Sequence, residues 1–459
     1  MKTIRNTNTG FTLIEVMVSS ALIVVIMGFL MYTMDQTQRT MKGADSRVNQ
    51  FQATRVAFEA MTRNLSQATL NTFWDLDMGK TETEGKLTPM GYRRNSDLHY
   101  ISGKASSPLM LNSKENINPT HAVFFQAPLG VTFQGNDEIL TSNGYAEDKN
   151  SDSKITESKR KYRFLSGLMN VCGYYINWGP DPRIPKFLKD EFAADKTKLR
   201  YRYRLTEVIQ PSETVTIYNN PWYTRPERTG KAKENNFIAS ATDDNARSKI
   251  YKTATDWIRV AVGKEEPTLG TKTDYSRPLA DNIVAMIIVP KVPESDRKVV
   301  ANLDDLSVDY EYDSRPQKVY EASQTTSGPS FAKGTAQLST LLKDSSTSRE
   351  LTQYAQLPPI VQVTLVAIDD ESASRLEASL DAPENGPSEH WADGLFTKLR
   401  GVEDFNEEIG DPSKPDSKSL LGRLSGVDKS TRLPKMNYRI FTTDVVMRSA
   451  KWSNPNYSR

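Results

Sequence analysis

Few residues in this chain of 459 could do chemistry, and most are placed where chemistry would be difficult. Cys172 is the single cysteine, so neither an internal disulfide nor a cysteine-rich metal site can form. It lies in the apolar run 167–176 and reads as a small buried hydrophobe, because a reactive thiolate needs an electropositive, accessible setting. His99, His121 and His390 are the only histidines and are far apart in sequence. His121 opens an apolar stretch and reads as structural; His390, beside Trp391, reads as the start of a surface helix. Asp148, Asn150 and Asp152 alternate as in a calcium loop, but Ser153 stands where glycine is wanted and Lys159 where a bidentate glutamate is wanted. A solvated turn is the expectation. Gly-x-Ser-x-Gly, His-Glu-x-x-His, Walker A and Gly-x-Gly-x-x-Gly are all absent, so no enzyme and no cofactor is expected.

One acidic residue stands out by position. Glu15 sits at the head of a run, 16 to 34, that carries no charge and no proline. Those 19 residues span about 28 Å as a helix, close to the hydrocarbon thickness of a bilayer. Val16, Leu22, Ile23, Val24, Val25, Phe29 and Leu30 are expected to form its lipid-facing anchor. A carboxylate there costs about 2.5 to 3.5 kcal/mol unless partnered, and no Lys or Arg lies within two helical turns. Residues 1 to 10 carry Lys2 and Arg5, no acid, and no apolar core. A secretory signal has its apolar segment before the cleavage site; here the order is inverted. Lys2 and Arg5 are expected to keep the leader cytoplasmic and the rest beyond residue 35 outside.

Gly10-Phe11-Thr12-Leu13-Ile14-Glu15-Val16 resembles the prepilin peptidase motif of type IV pilins and type II secretion pseudopilins. The resemblance implies cleavage after Gly10 by a prepilin peptidase and an N-methylated Phe11 as first mature residue. It further implies that Glu15 neutralises the terminal ammonium of a neighbouring subunit during assembly. Other pilin or pseudopilin subunits and the inner membrane are the implied partners. Pairing these groups would relieve two desolvation costs in a low dielectric; the residues themselves allow the pairing within one chain as well as between chains. The apolar segment departs from the main pilins in having Gly28 and no proline.

The elements that must position this terminus can be read from periodicity. Met41, Val48, Phe51, Phe58, Met61, Leu65 and Ala68 recur at helical spacing, predicting an amphipathic continuation over 35–72 that ends between 70 and 75 and is weakened at Gly43. The rest, 73–459, reads as an extracytoplasmic β-rich domain. Strands are expected at 122–126, 171–178, 199–208, 283–289, 360–368 and 438–448, and within 250–262. Residues 199–205 alternate strictly, which predicts a buried face and a wet arginine face. Polar insertions are expected at 135–160, 313–350 and 369–434, with a helical piece at 391–399 in the last. The fold expected is α+β: a long N-terminal transmembrane and amphipathic helix packed on an antiparallel, pilin-like globular domain.

Net charge is +2, with 25% charged and 37% hydrophobic residues. That balance gives no overall pull toward nucleic acid, and none is expected as a partner. The segments 357–369 and 439–452 are similar to the last strands of J-type minor pseudopilins. With the segment 36–40, the chain looks most like the Verru_Chthon cassette protein C family. The function implied is a minor pseudopilin of a type II secretion or type IV pilus-like filament. A pilin-anchored adhesin or substrate-binding surface protein, using aromatics such as Trp222 and Tyr223, is the alternative.

Overall fold

The computed structural model describes residues 12–80, 87–107, 110–132, 167–185, 187, 199–215, 217, 255, 257–264, 274–291, 310–314, 355–397, 402–411, 413, 416, 418–426 and 433–450. The chain divides into two compact units, residues 1–52 and 53–459.

The first unit is the leading part of α1 (Leu13–Leu65), which runs unbroken past Gly28 and Gly43. All seven anchor residues are exposed, Val24 at 70% and Phe29 at 67% among them. A water-facing helix would not carry such a surface; a lipid-facing one would.

In the second unit, the last turns of α1 bury Thr54, Ala57, Phe58, Met61 and Leu65. Their spacing of three and four residues puts them on one face, while Arg55 and Glu59 form an exposed ion pair on another. Phe58 meets Phe441, with ring centroids 6.2 Å apart. The helix stops at Leu65, short of the expected 70 to 75. The Ser66 hydroxyl turns back onto the Arg63 carbonyl, and the Thr69 N–H bonds to Gln126 of the sheet instead of continuing the helical ladder.

Among the described residues, three antiparallel sheets make up the β part. β1 (Phe73–Lys80) and β2 (Leu87–Asn95) form a two-stranded ribbon with a bulge at Asp77/Met78. The largest sheet has six strands in the order β7-β6-β5-β4-β3-β9. Its members are β3 (Ile101–Lys104), β4 (His121–Ala127), β5 (Asn170–Pro180), β6 (Tyr201–Gln210), β7 (Ser276–Asp281) and β9 (Tyr312–Asp313). The third sheet has the order β11-β10-β8, from β8 (Ile283–Lys291), β10 (Ile360–Ile368) and β11 (Tyr438–Val446). β8 is buried from Ile283 to Pro290 although it lies at the edge of this sheet. Its outer N–H groups are taken by side chains at the head of β4: Met286 by Thr120 Oγ1 and Ile288 by His121 Nδ1, both at 3.0 Å. The two larger sheets are thus joined by a seam of side-chain hydrogen bonds that leaves no bare edge there.

Several expectations are corrected. The arginine face of 199–205 is wet only at Arg200, because Arg202 and Arg204 are buried. Helix α2 (Asp370–Ala378) lies over Arg202, whose guanidinium bonds to Glu377 and Ser374, while Arg204 pairs with Asp281 of β7 at 2.7 Å. Alternation reported the two faces correctly, but counter-ions from distant sequence allowed both to be covered. Residues 257–261 are helical, not a strand. Their apolar side chains Trp257, Ile258 and Ala261 fill a core cluster with Phe124, Tyr175 and Val208. The 369–434 insertion is not merely polar loop. It contributes α2, α3 (Val402–Ile409) and α4 (Leu420–Leu424), and it buries Leu376, Trp391, Phe396, Leu420, Leu421 and Leu424. Residues 391–397 are turns where a helix was expected. His390 is 2% exposed and so is not at a surface helix start. The insertions at 135–160 and, beyond Ser314, 313–350 lie outside the described residues, as do Trp222 and Tyr223.

Candidate functional site

Gly10 and Phe11 lie outside the described residues, which begin with Thr12. Thr12 and Glu15 form a reciprocal cap at the head of α1. The Thr12 N–H and hydroxyl both donate to Glu15 Oε2, at 3.0 and 2.9 Å. In return the Glu15 N–H reaches Thr12 Oγ1 at 3.4 Å and the Thr12 carbonyl at 3.0 Å. This is the capping box, in which a Ser or Thr and a Glu three residues later satisfy each other's orphan donors at a helix start. The acidic side chain also faces the positive end of the helix dipole. Among the described residues, Glu15 Oε1 has no partner. Thr-x-x-Glu is the sequence signature of this cap, a signal that weighing Glu15 against lipid alone does not use.

At the other end, α1 is tied to the large sheet by a polar cluster that no motif announces. Glu207 on β6 is 2% exposed. Its Oε1 accepts from the Tyr174 hydroxyl of β5 at 2.8 Å and from Asn64 of α1 at 3.4 Å. Asn64 also donates to the Tyr174 oxygen at 2.9 Å, and Arg277 of β7 closes the other side at 2.7 Å to Oε2. Burial, reinforced by neighbouring Glu207, pushes the Tyr174 hydroxyl well up, so it stays protonated and donates. The cluster fixes where the end of α1 sits on β5 and β6.

The other candidates for chemistry are structural where they can be seen. Cys172 is fully buried, and burial pushes its thiol up, as an inert hydrophobe requires. His99 is clamped between Trp257, whose indole N–H donates to Nδ1 at 3.2 Å, and Asp313, 2.6 Å from Nε2. His121 bridges β8 and Phe396. Among the described residues no three His, Cys, Asp or Glu side chains gather as a metal site. Asp148, Asn150 and Asp152 lie outside them.

One long apolar N-terminal helix and antiparallel sheets in a mixed α+β arrangement are consistent with a pilin-like fold. Residues 5–31 match the family described as the prokaryotic N-terminal methylation motif. That match supports a type IV pilin-like protein, a prepilin substrate, and it points to a structural subunit rather than an enzyme. It implies processing by a prepilin peptidase and assembly with other pilin subunits. The helix is a candidate membrane anchor, with a stretch of mean hydropathy 2.5. No curated protein and no solved structure matches the chain.

Proposed function

We propose that this chain is a minor pseudopilin of a type II secretion or type IV pilus-like filament, cut after Gly10, N-methylated at Phe11, and anchored in the inner membrane. Lys2 and Arg5 hold the leader on the cytoplasmic side, and residues 73–459 form the extracytoplasmic domain. Affinity with the J-type minor pseudopilins, and more narrowly with Verru_Chthon cassette protein C, is part of this reading and rests on 357–369, 439–452 and 36–40. The size of the outer domain favours a low-copy subunit, because bulk is hard to pack at every helical step of a filament.

The observation that carries the reading is a carboxylate at the head of an exposed apolar helix, four residues beyond Phe11 of a Gly-Phe junction. Thr12 engages Oε2 of Glu15, which leaves Oε1 for the ammonium of a neighbouring mature chain. The Phe11–Thr12 amide survives cleavage after Gly10, so the cap persists in the processed subunit. Two-point satisfaction of a carboxylate is what makes a charge tolerable in a low dielectric.

Co-expression with a prepilin peptidase, followed by intact-mass measurement, tests the processing. Loss of residues 1–10 plus the mass of one methyl group is expected; a mature chain still starting at Met1 would overturn the proposal. Crosslinking to co-expressed pilin subunits tests assembly, and Glu15→Ala is expected to abolish the crosslinks while leaving cleavage intact.

A further inference from the structure

The His121 ring is a junction of three segments. From the head of β4, its Nδ1 accepts from the Ile288 N–H of β8 and its Nε2 donates to the Phe396 carbonyl, each at 3.0 Å. One nitrogen accepting and the other donating is the pattern of a neutral imidazole. The backbone is unusual on both sides of the ring. Thr120 and Phe396 sit at φ 58° and 56°, a region that β-branched and aromatic residues rarely adopt and that persists only where surrounding contacts hold it. His390 borders the same small cleft as His121. Its Nδ1 accepts from the Ala392 N–H at 3.0 Å.

The neighbouring carboxylates among the described residues already hold donors. Lys104, opposite His121 in the β3–β4 register, is paired with Glu115. Asp393 accepts from the His390 backbone N–H at 2.7 Å. Tyr310, whose ring centroid is 5.2 Å from that of His121, donates to Glu408, which also takes the Phe396 N–H. Arg423 holds the Trp391 and Asp393 carbonyls and adds positive charge near His390. β8 presents Met286, Ile287 and Ile288 to His121, and Val284, whose backbone favours the protonated ring, to His390; the Tyr203 ring of β6 lies 5.3 Å from that of His390. Among the described residues, a proton arriving on either ring therefore meets added positive charge and only carboxylates that already hold other donors.

We propose that His121 and His390 form an acid-sensitive latch, which holds the 390–397 segment on the β4–β8 seam and lets it go when the rings take up protons. Protonating Nδ1 of His121 sets its new N–H against the Ile288 N–H and so drives off β8 the ring that carries the Phe396 carbonyl, while protonating Nδ1 of His390 removes the acceptor of the Ala392 N–H that folds the head of the segment. Burial is the main reason that His121 titrates down at about 4 and His390 at about 3, with Lys104 and Arg423 acting in the same direction. An open segment binds protons at the ordinary histidine value of about 6.5. The latch is therefore at full strength above that value and weakens as the pH falls through 6.5 toward 4. From pH 7.5 to 5 the opening constant rises about thirtyfold if one ring becomes exposed and about a thousandfold if both do.

Hydrogen exchange followed by mass spectrometry, on the full-length chain in detergent micelles and corrected for intrinsic rates, reads this directly. Peptides covering 390–397 and 283–289 are expected to lose protection by about thirty- to a thousandfold between pH 7.5 and 5, ahead of β5 and β6. His121→Gln, which keeps a donor toward Phe396 and does not titrate, is expected to remove about thirtyfold of that change; His390→Asn is the independent second variant. The idea is overturned if wild-type protection at 390–397 is unchanged at pH 5, if it falls only together with β5 and β6, or if both variants keep the full pH response.

Discussion

Replacing Tyr174 by Phe removes one oxygen atom from the cluster that ties α1 to the sheet. The hydroxyl donates to the buried Glu207 carboxylate at 2.8 Å and accepts from Asn64 at 2.9 Å. A hydrogen bond to a charged group is worth about 1.5 to 3 kcal/mol, and an unsatisfied buried donor adds to the loss. Glu207 keeps Arg277 at 2.7 Å, and Asn64 retains only its longer contact of 3.4 Å with Glu207. The expected cost is therefore about 2 to 3 kcal/mol, a factor of about 30 to 150 in the unfolding constant. Urea denaturation of the full-length chain in nonionic detergent, followed by near-ultraviolet circular dichroism, measures it. Asn64→Ala, alone and combined with Tyr174→Phe, completes a double-mutant cycle, with a coupling of about 1 to 2 kcal/mol expected. A loss below about 0.5 kcal/mol for Tyr174→Phe, or strict additivity, would refute the claim that this network docks the helix.

Two further outcomes follow from packing. Gly173 faces Phe124 across the β4–β5 pair, and a Cβ there would run into the Phe124 ring. Gly173→Ala is expected to cost about 1 to 3 kcal/mol in the same denaturation assay, with partial relief from Phe124→Leu. Arg202→Met leaves the Glu377 carboxylate under α2 without its guanidinium partner, an expected loss of about 3 kcal/mol, of which the added change Glu377→Gln should restore a part.

The elements legible in sequence were those whose pattern is long and local. Residues 283–289 and 360–368 are nearly continuous apolar runs, and they became β8 and β10. The run 16–34 lies in one unbroken helix, as its length and lack of proline require. β3, β7 and β9 were not visible, because Ile-Ser-Gly-Lys, Ser-Arg-Pro-Leu-Ala-Asp and Tyr-Asp carry no alternation worth reading; they are strands because neighbours offer them an edge. The Thr12–Glu15 cap lay in plain view as Thr-x-x-Glu, overlooked because the acid was weighed against lipid and not against its own helix start.

What the sequence determined alone was the candidate anchor and the N-terminal methylation motif, since hydropathy over one helical span and a contiguous motif need no tertiary partner. What only the tertiary structure decided was the state of the polar groups. Arg202, Arg204 and His390 read as surface features along the chain, Glu207 carried no signal, and His121 read as structural without a visible partner, yet each is buried. A polar side chain can leave water only where specific partners await it, and here those partners, on α1, α2, β7, β8 and the 390–397 segment, are brought in from distant stretches of sequence by folding.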